Sequence, residues 1–171
     1  MKSTRKPRRK KSKLRWTRKA RLEFYWSVLI KALADFTCEI TGKPVWDYPE
    51  TVLQAHHLAG KKTLALRYSL LNGICIDRSI HGYGFHHPDK SKSTTYELKA
   101  TQVKGKCLWE ELEKLKKEPN ESLDEYEDFL IESLKPYKQR IKDYLKLKDY
   151  KDSTTKARYN DLIGRLNDNH S

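Results

Sequence analysis

Five of the six histidines in this 171-residue chain fall within 32 residues: His56, His57, His81, His86 and His87. Imidazole is the side chain poised to take up a proton near neutral pH, and it is the commonest transition-metal ligand. A cluster this tight, in a chain of net charge +13, points to metal binding and general-base chemistry on a polyanion. Neighbouring side chains on a strand point to opposite faces. At a strand end, His56 and His57 can therefore divide the labour around one site, one facing a metal and the other an attacking water.

The surrounding residues read as the elements needed to hold such a pair. Val52-Leu53-Gln54-Ala55 is a short strand signal running into His56-His57. A polar, basic stretch follows, Gly60-Lys61-Lys62-Thr63, and then Leu64 to Leu71. Asn72-Gly73 is a turn pair, Ile74-Cys75-Ile76 a second strand, and Asp77 a cap for a short helix through Ile80-His81 that Gly82 and Gly84 should end. A hairpin capped by a helix closes on itself and brings His81 back beside His56. Asn72, just before the second strand, can bond across the loop with its side-chain amide.

The run Leu53-Gln54-Ala55-His56-His57-Leu58, with Asn72 fifteen residues after His57 and His81 nine after Asn72, resembles the HNH (His-Me finger) endonuclease motif of phage and homing type. Arg67 to Ile74 looks like the segment before the second strand in those enzymes. The resemblance covers roughly residues 38–90. It implies a ββα-metal finger and a metal-dependent DNA endonuclease leaving 5′-phosphate and 3′-hydroxyl ends. By position, His56 and His81 would be metal ligands, His57 the general base, and Asn72 the tether that orients it. A third ligand in such proteins often sits four residues after the His81 position, which here is Phe85, so His86 is the substitute. The paired C-x-x-C knuckles of many relatives are missing, which implies that helices brace the finger in place of a structural zinc. The cofactor would be one divalent ion, Mg²⁺ or Mn²⁺ for activity, with Zn²⁺ or Ni²⁺ binding tightly to imidazole. In the same scheme Arg67 serves the catalytic centre, gripping phosphate beside the cut together with Lys61 and Lys62.

Charge supports a nucleic-acid partner. The first 20 residues hold 11 basic side chains and no acid, whereas the remaining 151 carry 25 basic against 23 acidic. Residues 1–16 thus read as a disordered basic arm, with Arg8, Arg9, Lys10 and Lys11 at its centre, whose affinity comes from released counterions. Such an arm suits duplex DNA, RNA or branched DNA as substrate. No apolar run is long enough for a membrane span and the basic N-terminus lacks a signal-peptide core. Three widely spaced cysteines, Cys38, Cys75 and Cys107, argue against a disulfide scaffold. An intracellular, cytoplasmic protein is expected.

The rest of the chain reads as helix. An apolar stripe from Leu22 to Phe36 predicts a helix over about Thr17 to Phe36, most simply core. Residues 90–106 are ambiguous: Thr94-x-x-Glu97 has the form of a capping box, yet Tyr96 to Val103 partly alternates. Helices follow from Leu108, from the capping box Ser122-x-x-Glu125 to a break at Pro136, on to about Leu147, and from Ser153. Their alternating charges read as solvated faces. The expected fold is α+β: a nuclease core over 17–90 with its leading helix, and a helical region over 91–171. The rival from another class is a non-catalytic, zinc-stabilised nucleic-acid-binding protein, with His56, His81, His86 and Cys75 or Cys38 as ligands.

Overall fold

The structure is a computed structural model that describes residues 16–85, 90–119, 122–150 and 152–167. The arm residues Arg8, Arg9, Lys10 and Lys11, and the third candidate ligand His86, lie outside them. Helix α1 (Arg18–Leu33) starts where Thr17 accepts the Ala20 amide on its hydroxyl at 3.2 Å. It ends three residues before the apolar pattern does. Asp35 and Phe36 turn left-handed, with φ of 47° and 53°. The amides of Asp35 and Phe36 bond back to the carbonyls of Ala32 and Lys31, at 3.0 and 2.7 Å, which is a Schellman closure. A phenylalanine is costly there. Its ring is fully buried and stacked on Tyr144 with centroids 4.3 Å apart, which offsets the cost.

The described residues hold mixed helix and one small sheet. Strands β1 (Leu53–His57) and β2 (Gly73–Asp77) pair antiparallel, with His56 opposite Ile74 and His57 opposite Gly73. Helix α2 (Leu64–Tyr68) stands in the loop between them, capped by Thr63. After β2, Asp77 caps the single turn α3 (Arg78–Ile80). The two glycines expected to end this helix do not do so. His81–Phe85 continue as one wide turn, and Gly84 lets Tyr96 approach to where a Cβ would lie 2.9 Å from its ring.

Helix α4 (Lys90–Lys104) resolves the ambiguous stretch, and Thr94 and Glu97 lie inside it. Helix α5 (Leu108–Leu115) packs on α2 through Leu66, Leu108 and Leu112. Helix α6 (Leu123–Leu134) carries the expected capping box on Ser122, and Pro136 sits in a 3₁₀ turn that leads into α7 (Lys138–Lys148). Asp152 caps α8 (Ser153–Arg165). No helix among the described residues is long and apolar enough to cross a membrane.

Helix α1 is the centre of this arrangement. Its second half is buried on nearly every side, because the core runs from it into the hairpin, α6, α7 and α8. One set of charges on the C-terminal helices is not a solvated face. Glu127 is 6% exposed and accepts from Arg18, Arg21 and Arg165, at 2.9, 3.0 and 3.0 Å. It bolts α6 to α1 and α8. Removing one partner of such a buried cluster leaves uncompensated charge.

Lys31 has the opposite problem. It is 8% exposed, and burial pushes its ammonium down to about 8. A base depressed in the folded state costs stability below that pH, and the cost fades as pH climbs towards the unfolded value. Lys31→Met is expected to be more stable than the native chain by roughly 3 kcal/mol below pH 8. Most of that advantage should vanish by about pH 10.5. Denaturant unfolding of both chains across this range reads the difference, and a pH-independent difference would rule the mechanism out.

Candidate functional site

The pleat puts the two adjacent histidines on opposite faces of β1. Residues paired across a sheet share a face, so His57 and Gly73 face α1, while His56 and Ile74 face the turn after β2. On the α1 side, the His57 ring stacks on Trp26, with centroids 3.8 Å apart and planes 11° from parallel. Gly73 makes this possible. A Cβ at Gly73 would lie 2.3 Å from Ile30 Cδ1 and 2.8 Å from Trp26 Cζ2, so only glycine lets α1 settle on the strands. On the other side, the rings of His56 and His81 meet edge to face at 4.9 Å, with Phe85 4.5 Å from His56.

His57 has a defined hydrogen-bonding state. Its Nε2 lies 2.9 Å from the Arg67 carbonyl oxygen. A carbonyl can only accept, so Nε2–H donates, and in the neutral ring Nδ1 keeps the lone pair. Burial holds the imidazole below its ordinary pKa, against a smaller raising effect from the Arg67 carbonyl. The lowered pKa favours the neutral ring, whose Nδ1 is able to accept a proton.

Asn72 bonds across the loop between the strands and makes no hydrogen bond to His57. It is fully buried. Its Oδ1 accepts the Ala59 amide at 2.7 Å, and its Nδ2 donates to the carbonyls of Gly60 and Leu66, at 2.7 and 2.8 Å. The backbone adds Leu58 N–H to Asn72 O at 3.0 Å. One amide thus closes the loop from residue 58 to residue 72 and fixes Leu66, the neighbour of the carbonyl that orients His57.

His56, His57 and His81 line one cavity of about 460 Å³, with Glu23, Trp26, Ser27, Ala55, Gly60 and Lys61. Lys61 and Lys62 are exposed on the loop above. Arg67 is placed differently from the expected phosphate grip. Its guanidinium pairs with Glu23 and donates to the Lys61 carbonyl at 2.8 Å; its own carbonyl does the orienting. Three residues that sequence reading missed, Glu23, Trp26 and Ser27, all come from α1. Their spacing of three and four is the available signal, since it puts them on one helix face, but the stripe containing Trp26 reads equally well as core.

The 4.9 Å spacing of the His56 and His81 rings is that of an ordinary edge-to-face contact and is also compatible with two imidazoles on one ion. Imidazole nitrogens bind at about 2.1 Å, so two rings on one ion, 90–109° apart, have centroids roughly 4.5 to 5.2 Å apart. Among the described residues, no group of three or more His, Cys, Asp or Glu side chains gathers to hold an ion. Cysteine does not complete the pair. Cys75 pairs with Ala55 on the α1 side of the sheet. It is fully buried, and burial pushes its thiol up to about 12, which opposes the thiolate a metal needs. Cys38 Sγ accepts the Asp77 amide.

Asn72→Ala would take their partner from the Ala59 amide and from the Gly60 and Leu66 carbonyls, the last of these bonds being fully buried. An expected loss of about 2–4 kcal/mol should appear in denaturant unfolding, and hydrogen exchange at the Ala59 amide should speed up more than in β2. Unchanged Ala59 protection would mean that the side chain does not close the loop.

No protein-family model matches the chain, and no curated protein or solved structure matches it either; the chemistry of this site rests on its own atoms.

Proposed function

We propose that the chain is a metal-dependent endonuclease of the HNH (His-Me finger) type that hydrolyses DNA phosphodiester bonds, with residues 53–85 as its ββα-metal finger. One observation carries the reading. A neutral His57, its Nε2–H committed to the Arg67 carbonyl, shares a cavity with a His56–His81 pair whose spacing is compatible with one ion. Placing the base and one ligand on adjacent positions of one strand, with the second ligand returned by the turn after β2, is an economical way to put an activated water and a cation on opposite sides of one phosphate.

His57 Nδ1 takes a proton from the attacking water. Trp26 restrains the ring by stacking, and the Arg67 carbonyl stabilises the imidazolium that results, through the bond it already accepts. His56 and His81 would hold a divalent cation; His86, the third candidate ligand, lies outside the described residues. When bound, such an ion stabilises charge on the phosphoryl and leaving oxygens. Lys61 and Lys62, exposed beside the cavity, contact neighbouring phosphates, which position the substrate without reading its sequence. The arm with Arg8, Arg9, Lys10 and Lys11 supplies non-specific affinity.

Single-turnover cleavage of supercoiled plasmid with Mg²⁺ or Mn²⁺, run beside calorimetric Zn²⁺ titration, tests this. His57→Ala should keep metal affinity and lose about 10²- to 10⁴-fold in rate. His56→Ala and His81→Ala should lose both. Cleavage by His57→Ala at the native rate removes it as the base, and equal Zn²⁺ affinity in native and His81→Ala chains removes that ligand.

A further inference from the structure

Glu23 has no place in that scheme, and a carboxylate on the wall of a cavity meant for a phosphodiester should repel it. Its two oxygens have different partners. Oε1 is bonded by the Arg67 guanidinium, and the Arg67 side chain is only 15% exposed. That pair is enclosed, and Arg67 is further held by the Lys61 carbonyl. Oε2 faces Lys61 Nζ at 3.4 Å, the long end of an ion-pair contact, and the Lys61 side chain is 52% exposed. Glu23 and Lys61 both line the cavity. One partner of the carboxylate is thus enclosed and the other is exposed and at the long end of contact.

We propose that Glu23 is a stand-in for substrate phosphate. It parks Lys61 Nζ at the cavity until duplex DNA enters, and Lys61 then exchanges from the Glu23 carboxylate to a backbone phosphate oxygen. This rests on the reading of DNA as the substrate. The exchange requires only a side-chain swing. The Lys61 backbone is pinned by Arg67, and the Gly60 carbonyl before it by Asn72. Glu23 keeps the Arg67 charge after Lys61 leaves, so its carboxylate stays compensated beside the phosphate. An ion pair this exposed is weakly held, whereas each phosphate contact on duplex DNA contributes about 0.9 to the log–log salt slope of binding. The exchange therefore runs towards DNA at low salt and reverses as salt rises.

The test is fluorescence anisotropy of the full chain on a labelled duplex in EDTA, across a range of salt. Lys61→Ala should flatten the salt slope by about 0.9. Glu23→Gln should tighten binding several-fold at low salt, because Lys61 no longer has to be released. In the Lys61→Ala background the same Glu23→Gln change should give little gain. An equal gain in both backgrounds would be a bulk charge effect and would overturn the exchange. An unchanged slope in Lys61→Ala would overturn it as well, and this arm keeps the exchange falsifiable if Glu23→Gln melts for want of an Arg67 partner. A chain that shows the exchange but never cleaves DNA with Mg²⁺ or Mn²⁺ sinks the nuclease reading and leaves this one standing; a chain that binds no DNA overturns both.

Discussion

The close seating of α1 on the two strands is the constraint on which the site depends. Gly73 has no side chain, so Ile30 and Trp26 reach the backbone opposite His57. Trp26 then becomes a flat wall for the imidazole, and Glu23, one turn earlier on the same helix face, reaches the loop arginine. A larger residue at 73 would push the helix outward and undo the stack, the ion pair and the cavity at once. The core beneath α1, which continues into α6, α7 and α8, and the arginines clamped on Glu127 hold the helix at that distance.

A second constraint acts on the loop. Buried backbone groups must be bonded, and the stretch between the strands has few ladder partners. Asn72 satisfies three of its groups from one buried amide. The Thr63 cap and the packing of α2 on α5 fix the remainder. The Arg67 carbonyl therefore has a set position, and with it the ring plane and hydrogen-bonding state of His57. In this arrangement Asn72 governs His57 without touching it.

Local chemistry was legible in the sequence, and contacts made across long separations were not. The Asp77 and Ser122 caps, the two strands and the return of His81 to His56 follow from side chains acting within a few residues or from strand pleating. Helix α4 was obscured because Leu98 and Val103 are exposed while Ala100 is fully buried, so its apolar residues do not mark one face. Arg67 looked like a phosphate ligand because its partner, Glu23, lies 44 residues away on a helix whose pattern announced only core. Glu127 was hidden in the same way: its charge looks solvated until three arginines from two other helices are brought to it. Polar residues on a central helix are ambiguous from pattern alone, since what they meet is decided by packing.

The protonation pattern of His57 is the most direct measure of whether this site is built for base chemistry. Long-range ¹H–¹⁵N correlation spectra of the histidine side chains, assigned with His57→Ala, distinguish the two neutral tautomers by the shifts of their ring nitrogens. With the Arg67 carbonyl as acceptor, His57 should be neutral at pH 7, protonated on Nε2, with Nδ1 showing the shift of an unprotonated nitrogen. A ring protonated on Nδ1, or one carrying both protons at pH 7, would contradict the hydrogen bond to Arg67 and leave His57 without the lone pair on which the proposed hydrolysis depends.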